Sequence, residues 1–272
     1  MDVVCVGDCG IDLYLPSGLR RFGGITANFA RHARREFPDD DRIHIVSCVG
    51  DDAGGDLVLS SLAGSGIECH IDRLHGRTPV QTIEIHPDGE KDFVHYDEGV
   101  LRDFHFDEVA RRLIAGSDLL VAPVYLQIVG LFDELMAIPT KGLVSVDFAD
   151  FLVDPDFHLL ERHLGSIDIA FFGISADDTE TIDRLRVLAD RQKKLIVVTL
   201  GPAGSRSFAG SRHYASRAAP VDAIVDTTGA GDAYAAGFLS RYCHGANIEA
   251  CMQHGAKVAA SVIGRIGSFT AD

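Results

Sequence analysis

Short apolar runs rich in β-branched residues recur along the chain, at 3–6, 43–49, 119–122, 143–147, 167–171 and 195–200, and each is followed by an amphipathic stretch. This alternation restricts the fold more than any other feature of the sequence. A strand that is apolar on both faces must be covered on both, and its parallel neighbour is reached only through a crossover, usually a helix. An α/β protein with a mostly parallel central sheet between two helical layers is therefore expected. Helical patterns fall at 26–37, 54–63, 107–115, 124–137, 177–191, 229–244 and 248–264, the last two dominating the C-terminal end.

One segment departs from the pattern. Residues 67–96 read as alternating strands around a turn at Pro87-Asp88-Gly89, with no helix between them. In Thr82-Ile83-Glu84-Ile85-His86 every second position is apolar, so one face suits the covering of a cleft while the other meets water or a second subunit. An edge hairpin with only a packing role is the plainer alternative. No repeat, low-complexity segment or linker divides the chain. Residues 1–272 are thus read as one domain with a small β-sheet lid, formed mainly by 67–97 with a contribution from about 11–22.

A chain of 272 residues, 46% hydrophobic and 24% charged, has enough apolar material for one large core and too little polar bias for disorder. Its net charge of −15 repels a phosphate backbone and an anionic membrane alike, which removes nucleic acid and lipid as main partners. A triphosphate is still admissible, because backbone amides and a divalent cation can bind it locally. Cys5, Cys9, Cys48, Cys69, Cys243 and Cys251 form no Cys-x-x-Cys pair and read as reduced thiols. The first residues run straight into Val3-Val4-Cys5-Val6 without a basic leader, and no apolar stretch nears the ~20 residues of a membrane helix. A cytoplasmic protein is expected.

Asp226-Thr227-Thr228-Gly229-Ala230-Gly231-Asp232 runs directly into the apolar helix pattern of 233–239. A Gly-Ala-Gly turn at a helix start leaves main-chain N–H groups facing outward with the positive end of the helix dipole behind them, and that arrangement binds an anion. A carboxylate at Asp232 is no ligand for the anion, but it suits a base that takes a proton from a hydroxyl attacking beside it. Without the preceding glycines, Asp232 would read as a plain helix cap.

The heptapeptide resembles the signature of the PfkB, or ribokinase-like, family of carbohydrate kinases. Other segments match in order: Gly23-Gly24-x-x-x-Asn28 resembles the N-terminal sugar-binding motif, Val49-Gly50-Asp51-Asp52-x-Gly54-Gly55-Asp56 the second-strand signature, and Val197-Val198-Thr199-Leu200-Gly201-x-x-Gly204 the nucleotide-side strand and turn. The resemblance implies a ribokinase-like three-layer sandwich and transfer of the γ-phosphoryl group of ATP, with Mg²⁺, to a hydroxyl of a small sugar. It implies that Asp232 is the catalytic base, that Gly229, Ala230 and Gly231 cradle the transferring phosphoryl group, and that Thr199, Gly201 and Gly204 lie against ATP. Asp226 resembles a residue that helps hold a monovalent cation, and whether this chain uses potassium is left open. Asp177-Asp178-Thr179-Glu180 stands where the family has Asn-x-x-Glu. Glu180 keeps its place as a magnesium-organising residue, while Asp177 replaces the amide. Acidic residues in a first helical turn are also common for dipole reasons alone.

On the acceptor side, Gly7-Asp8-x-x-x-Asp12 follows the first strand, where open α/β sheets bind ligands, and carboxylates accept hydrogen bonds from sugar hydroxyls. Asp8, Asp12, Gly24 and Asn28 are the sugar-site candidates, with a surface turn as the alternative for Asp12. Gly7-Asp8-x-x-x-Asp12-x-Tyr14, Tyr96-Asp97-Glu98-Gly99-Val100 and Asp147-Phe148-Ala149-Asp150 look most like fructoselysine 6-kinases, which act on the sugar part of fructosamines. Ribokinase, fructokinase and nucleoside-kinase specificities are the alternatives, ribose being disfavoured by Ile25-Thr26 in place of Lys-Gly. Glu98 either meets the amine of a fructosyl-lysine or closes the lid. A homodimer through the lid is a candidate arrangement. From another class, a non-catalytic sugar or nucleotide sensor would keep the fold, and Asp232 in its glycine setting argues against it. The sequence has no His-Glu-x-x-His, no Gly-Lys-Ser/Thr and no Gly-x-Gly-x-x-Gly after the first strand, which disfavours a metallohydrolase, a P-loop ATPase and a dinucleotide oxidoreductase.

Overall fold

The structure is a computed structural model that describes residues 1–86, 91–149 and 157–267. The chain enters through β1 (Asp2–Val6), forms the hairpin β2 (Gly10–Leu15) and β3 (Leu19–Gly23), and continues through α1 (Ile25–Glu36), β4 (Arg42–Gly50), α2 (Ala53–Leu62) and β5 (Glu68–Leu74). Strands β6 (Val80–Ile85) and β7 (Lys91–Asp97) follow. The alternation resumes with α3 (Glu108–Gly116), β8 (Leu119–Pro123), α4 (Val129–Met136), β9 (Leu143–Asp147), α5 (His158–His163), β10 (Ile169–Gly173), α6 (Thr179–Gln192) and β11 (Leu195–Thr199). The antiparallel pair β12 (Ser205–Ala209) and β13 (Arg212–Ser216) precedes α7 (Ala230–Cys243) and α8 (Ile248–Ala260).

The main sheet has the order β13-β12-β11-β10-β9-β8-β1-β4-β5 and is parallel from β11 to β5. Both faces of β1 are dry, as its sequence requires. Val3 and Cys5 pack with α1, α2, α7 and α8, whereas Val4 and Val6 pack with α3, α4, α5 and α6. The result is the expected ribokinase-like three-layer α/β sandwich. The chain turns from β1 to β4 on one side and later returns to β8 on the other, so the strand order reverses beside β1. Open sheets bind ligands in the crevice that this reversal leaves at the carboxyl ends of the strands. Among the described residues, no helix is long and apolar enough to cross a membrane.

The smaller sheet has the order β3-β2-β6-β7, with β2 and β6 parallel and its other pairs antiparallel. Its composition differs from the expected lid at one strand. Residues 68–74 form β5 at the edge of the main sheet, in parallel register with β4 from His44↔Glu68 to Gly50↔Leu74. An edge strand is half solvated, so its polar alternation reads in sequence like that of a lid strand. The turn expected at Pro87-Asp88-Gly89 lies outside the described residues. Strands β12 and β13 and the short helix α5 carried no periodic signal: Ser205-Arg206-Ser207-Phe208-Ala209 lacks β-branched residues, and six residues are too few for a helical period. Helix α6 begins two residues later than expected because the Asp178 carboxylate caps it, accepting from the Thr181 amide at 3.1 Å.

Candidate active site

The carboxyl end of β1 delivers Asp8 to the crevice, where it is buried. Its carboxylate accepts from the amides of Ile25 (3.1 Å) and Thr26 (3.2 Å), so it caps α1 from outside that helix. This fixes α1 against the crevice and with it Asn28, one turn in. The approach needs Gly24, whose φ is 100° and where a Cβ would lie 2.7 Å from the Asp8 carbonyl oxygen; at Gly23 a Cβ would meet the Asp12 carboxylate at 2.3 Å. The glycine pair thus lets β3 pass over both acids. Burial pushes the Asp8 carboxyl up, against the lowering effect of the two amides.

Asp12 points inward from β2 and is 4% exposed, and its Oδ2 has no hydrogen-bond partner among the described residues. Burial pushes it up to about 8, with Asp8 and Asp226 adding to the rise and Lys91 opposing it. An orphaned buried oxygen is a standing cost that a ligand hydroxyl can relieve. The structure places Asp12 in the crevice, not in a surface turn.

Asp232 stands in the first turn of α7, a helix whose residues 232–240 are all buried. Gly229 supplies the left-handed entry at φ 77°. The Ala230 amide is engaged by the Thr227 carbonyl at 3.2 Å, while the Gly231 and Asp232 amides donate to no protein acceptor among the described residues. A Cβ on Gly231 would meet nothing within 4 Å, so the outer side of this turn is open. The Asp232 carboxyl is pushed well above the usual carboxylate range by burial, with Asp147 and Asp8 adding like charge, whereas a hydrogen bond from Asn28 and the charge of Lys91 pull it back. Beside it lies a cavity of about 10 Å³, lined in part by Thr26, Ser145 and Asp147, and among the described residues Thr26 Oγ1 and Ser145 Oγ have no hydrogen-bond partners. That is room for one water.

Asp226 serves as a clamp. Its Oδ1 accepts from the Thr228 amide (2.8 Å), and its Oδ2 from the Tyr14 hydroxyl (3.0 Å) and the Gly267 amide (2.7 Å). One buried carboxyl group therefore joins strand β2 of the small sheet, the turn before α7 and the loop after α8.

These acids, amides and glycines coincide with a match of the chain, over residues 1–127 and 166–271, to the model of the pfkB family of carbohydrate kinases. The chain belongs to that family. It is accordingly a sugar kinase, a phosphotransferase with an alcohol group as acceptor, and family membership implies ATP as the phosphoryl donor. A fructoselysine 6-kinase of Shigella flexneri is 29% identical over 265 residues, spanning 97% of this chain and 98% of the relative. A fructosamine kinase of Bacillus subtilis is 28% identical, over 99% of this chain and 93% of its own. In three dimensions the adenosine kinase of Sinorhizobium meliloti superposes with a TM-score of 0.81 at 23% identity, covering 100% of this chain and 96% of that one. Arabidopsis thaliana ribokinase, solved with ribose and ATP, gives 0.77 at 20% identity, covering 98% and 93%. These structures establish the shared fold.

In this kinase the residues expected on the nucleotide side gather at the ends of β10 and β11. Thr199 closes β11 and donates from Oγ1 to the Phe172 carbonyl at 3.3 Å; Gly201 (φ 54°) and Gly204 (φ 92°) bound the short helical turn that follows. Asp177 and Glu180 are exposed at the start of α6, and among the described residues neither carboxylate has a protein partner. Oxygen donors of that kind suit magnesium, which keeps most of its water and completes its shell with phosphates. Glu180 faces a groove shared with Glu161, Asp183, Arg184 and Arg191, and no described contact brings it to Asp232. Glu98 is already engaged as the acceptor of Arg102, four residues on, at 2.7 Å from its Nε.

Tyr96 and Asp147 entered the sequence reading only within Tyr96-Asp97-Glu98-Gly99-Val100 and Asp147-Phe148-Ala149-Asp150, and Tyr125, Val221, Ile224, Val225 and Ile266 carried no signal there. Tyr125, just past β8, stands near the Asp8 carboxyl, and its hydroxyl lies 2.8 Å from that of Tyr96 on β7, the rings meeting edge to face. Asp147 ends β9 and is pushed up to about 6 by burial. Val221, Ile224, Val225 and Ile266 are exposed apolar side chains on the two loops around the start of α7, joined where the Val225 amide donates to the Ile263 carbonyl at 2.8 Å. None sits in a periodic pattern, because loops gather them from separate parts of the chain.

Proposed function

We propose that this kinase phosphorylates the sugar part of a fructosamine such as fructoselysine, with ATP as donor and magnesium as the accompanying ion. The observation that carries the chemistry is Asp232: a buried carboxyl beside Asn28 and an open turn whose Gly231 and Asp232 amides have no protein acceptor among the described residues. The substrate class is supported by the near full-length likeness to fructoselysine and fructosamine kinases. Asp8, Asp12, Gly24 and Asn28 would line the sugar site under the lid, and Glu98, held by Arg102, would border it. Thr199, Gly201 and Gly204 would lie against the nucleotide, with Val221, Ile224, Val225 and Ile266 offering apolar surface to its base.

The transfer is in line. The acceptor oxygen forms a bond to the γ-phosphorus as the bond to the β–γ bridging oxygen breaks, ADP leaves, and the hydroxyl proton passes to Asp232. The open amides of Gly231 and Asp232, in the turn shaped by Gly229 and Ala230, stabilise charge on the transferring oxygens, an effect worth about 3–4 kcal/mol for a well-aimed donor, whereas the Ala230 amide is committed to the Thr227 carbonyl. Asp177 and Glu180 would hold magnesium, which would supply neutralisation of phosphate charge there. Asp226 shapes the turn, and buried Thr228 Oγ1, which has no hydrogen-bond partner among the described residues, would give a monovalent cation such as potassium an oxygen ligand next to it. The single-domain reading, with the β2, β3, β6 and β7 sheet as lid, and a cytoplasmic location go with this function. So does a homodimer through the lid, supported by the exposure of Phe93 and Val94 on β7; a monomer mass by light scattering would remove it.

The test is a panel of fructosyl-amino acids, free ketoses, ribose and nucleosides assayed for ADP release with magnesium. Fructosyl-lysine is expected to give the highest kcat/KM. Ribose or a nucleoside ranking above the fructosyl compounds would overturn the assignment of substrate.

A further inference from the structure

Lys91 opens β7 in the lid sheet, yet its ammonium donates to Thr227 Oγ1 at 3.1 Å, in the turn that leads into Gly229-Ala230-Gly231. Its Nζ also lies 5.3 Å from the centroid of the Phe93 ring, two residues along the strand. From this position it acts on carboxylates contributed by different elements, Asp12 on β2 and Asp232 on α7. The crevice otherwise gathers carboxyl groups, Asp8, Asp12, Asp147, Asp226 and Asp232 being all buried there or half-buried, and a triphosphate would bring negative charge to them. Neither segment that forms its floor carries a cation, since residues 23–30 and 221–240 contain no Lys or Arg.

We propose that Lys91 is the phosphoryl contact supplied by the lid, binding the non-bridging oxygens of the γ-phosphoryl group as it passes to the acceptor. The Thr227 hydroxyl marks the place where the ammonium stands, next to the open amides of Gly231 and Asp232, so cation and amides meet the anion from different elements. A strongly hydrated ammonium on a flexible stem is well suited to following oxygens that move during transfer. Lys91 keeps its proton throughout, since the acceptor's proton goes to Asp232 and the electron pair of the broken bond leaves with ADP. Because the charge rides on a lid strand, it reaches the phosphates only when the lid covers the crevice, which ties transfer to an occupied acceptor site and suppresses transfer to water.

This deepens the kinase reading and rests on it, so the experiment separates the two. Lys91→Met and Lys91→Arg are compared with the parent for kcat, for KM of ATP and of fructosyl-lysine, and for binding of Mg·ADP with and without aluminium fluoride, after their melting temperatures are shown to agree. In Lys91→Met, kcat is expected to fall roughly 10²- to 10³-fold, as for loss of one well-aimed charge stabiliser. Acceptor KM and affinity for Mg·ADP alone should stay within a few-fold, affinity for the aluminium fluoride complex should drop at least about tenfold, and Lys91→Arg should recover most of both. The acid limb of kcat should also move to higher pH. Asp232 faces Asp147 on β9, Asp8 after β1, Asn28 on α1 and Lys91 on β7, and the variant removes the cation alone. A Lys91→Met enzyme with kcat within threefold of the parent, a loss confined to acceptor KM, or an equal loss in Lys91→Arg would overturn the proposal. Should the parent release no ADP with any acceptor, the substrate assignment is what has failed, and unchanged binding of the aluminium fluoride complex in Lys91→Met would overturn the Lys91 role separately.

Discussion

The two sides of the crevice are made of opposite materials. The proposed acceptor side is built from buried carboxyl groups, Asp8, Asp12 and Asp232, enclosed beneath a sheet and held by burial above the usual carboxylate range. The proposed nucleotide side is built from main-chain turns at Gly201 and Gly204 and from apolar side chains that face solvent. Desolvated polar groups discriminate strongly, because an acceptor that lacks the right hydroxyl leaves them unpaired. Open turns and apolar surface discriminate weakly but release their ligand easily. A kinase that must choose one sugar yet exchange ADP at every turnover is served by this division.

The comparison breaks first, and by the largest effect, at Asp232. Asp232→Asn should lower kcat by roughly 10³-fold or more while leaving Mg·ADP and acceptor affinities within a few-fold, read by steady-state kinetics and calorimetry. A variant that retains a tenth of the parental kcat would remove the carboxylate from the chemistry. Next comes Asp12→Asn, expected to reduce kcat/KM for the acceptor about 10- to 100-fold, the cost of mispairing a buried polar group with its ligand hydroxyl, with KM for ATP unchanged. Equal losses for both substrates would show that the two sides are not separate.

Asp147 sharpens the contrast through stability. Its folded carboxyl lies at about 6 against an ordinary 3.8, so between those values the folded chain binds more protons than the unfolded one. The ligand-free kinase should therefore be most favoured by this group below pH ~4 and lose that share as pH rises through about 6. Asp147→Asn should be the more stable protein at pH 8, by on the order of 2 kcal/mol, with the gap closing in acid; urea unfolding at pH 4 and pH 8 reads this directly. The smallest effect is expected at Thr199→Ala, which deletes one hydroxyl bonded to the Phe172 carbonyl: KM for ATP should rise about two- to fivefold and acceptor kinetics should not change.

The same division governs how much could be read without coordinates. The parallel sheet was visible because strands buried on both faces must be continuously apolar, and the run from Asp226 to Asp232 was visible because its parts are consecutive and the need for small residues at an anion site is local. Asp8, Asp12, Gly24 and Asn28 were within reach for a related reason, each standing at a fixed distance from a strand end or a glycine pair. Residues 68–74 were assigned to the lid because half-buried alternation identifies a strand without naming its sheet.

Which distant groups meet was a matter for the folded chain. Lys91 and Thr227 lie 136 positions apart, Tyr14 and Asp226 lie 212 apart, and no periodicity couples them. Nor does an aspartate in a sequence disclose its proton affinity: Asp12 and Asp147 are raised by burial, whereas Asp52, which caps α2, is lowered by its hydrogen bonds to Thr78 and Gly55. Local pattern specifies elements and turns because it reflects the backbone's own requirements. Charge, protonation and contact depend on what the rest of the chain lays over each side chain, and only packing sets that.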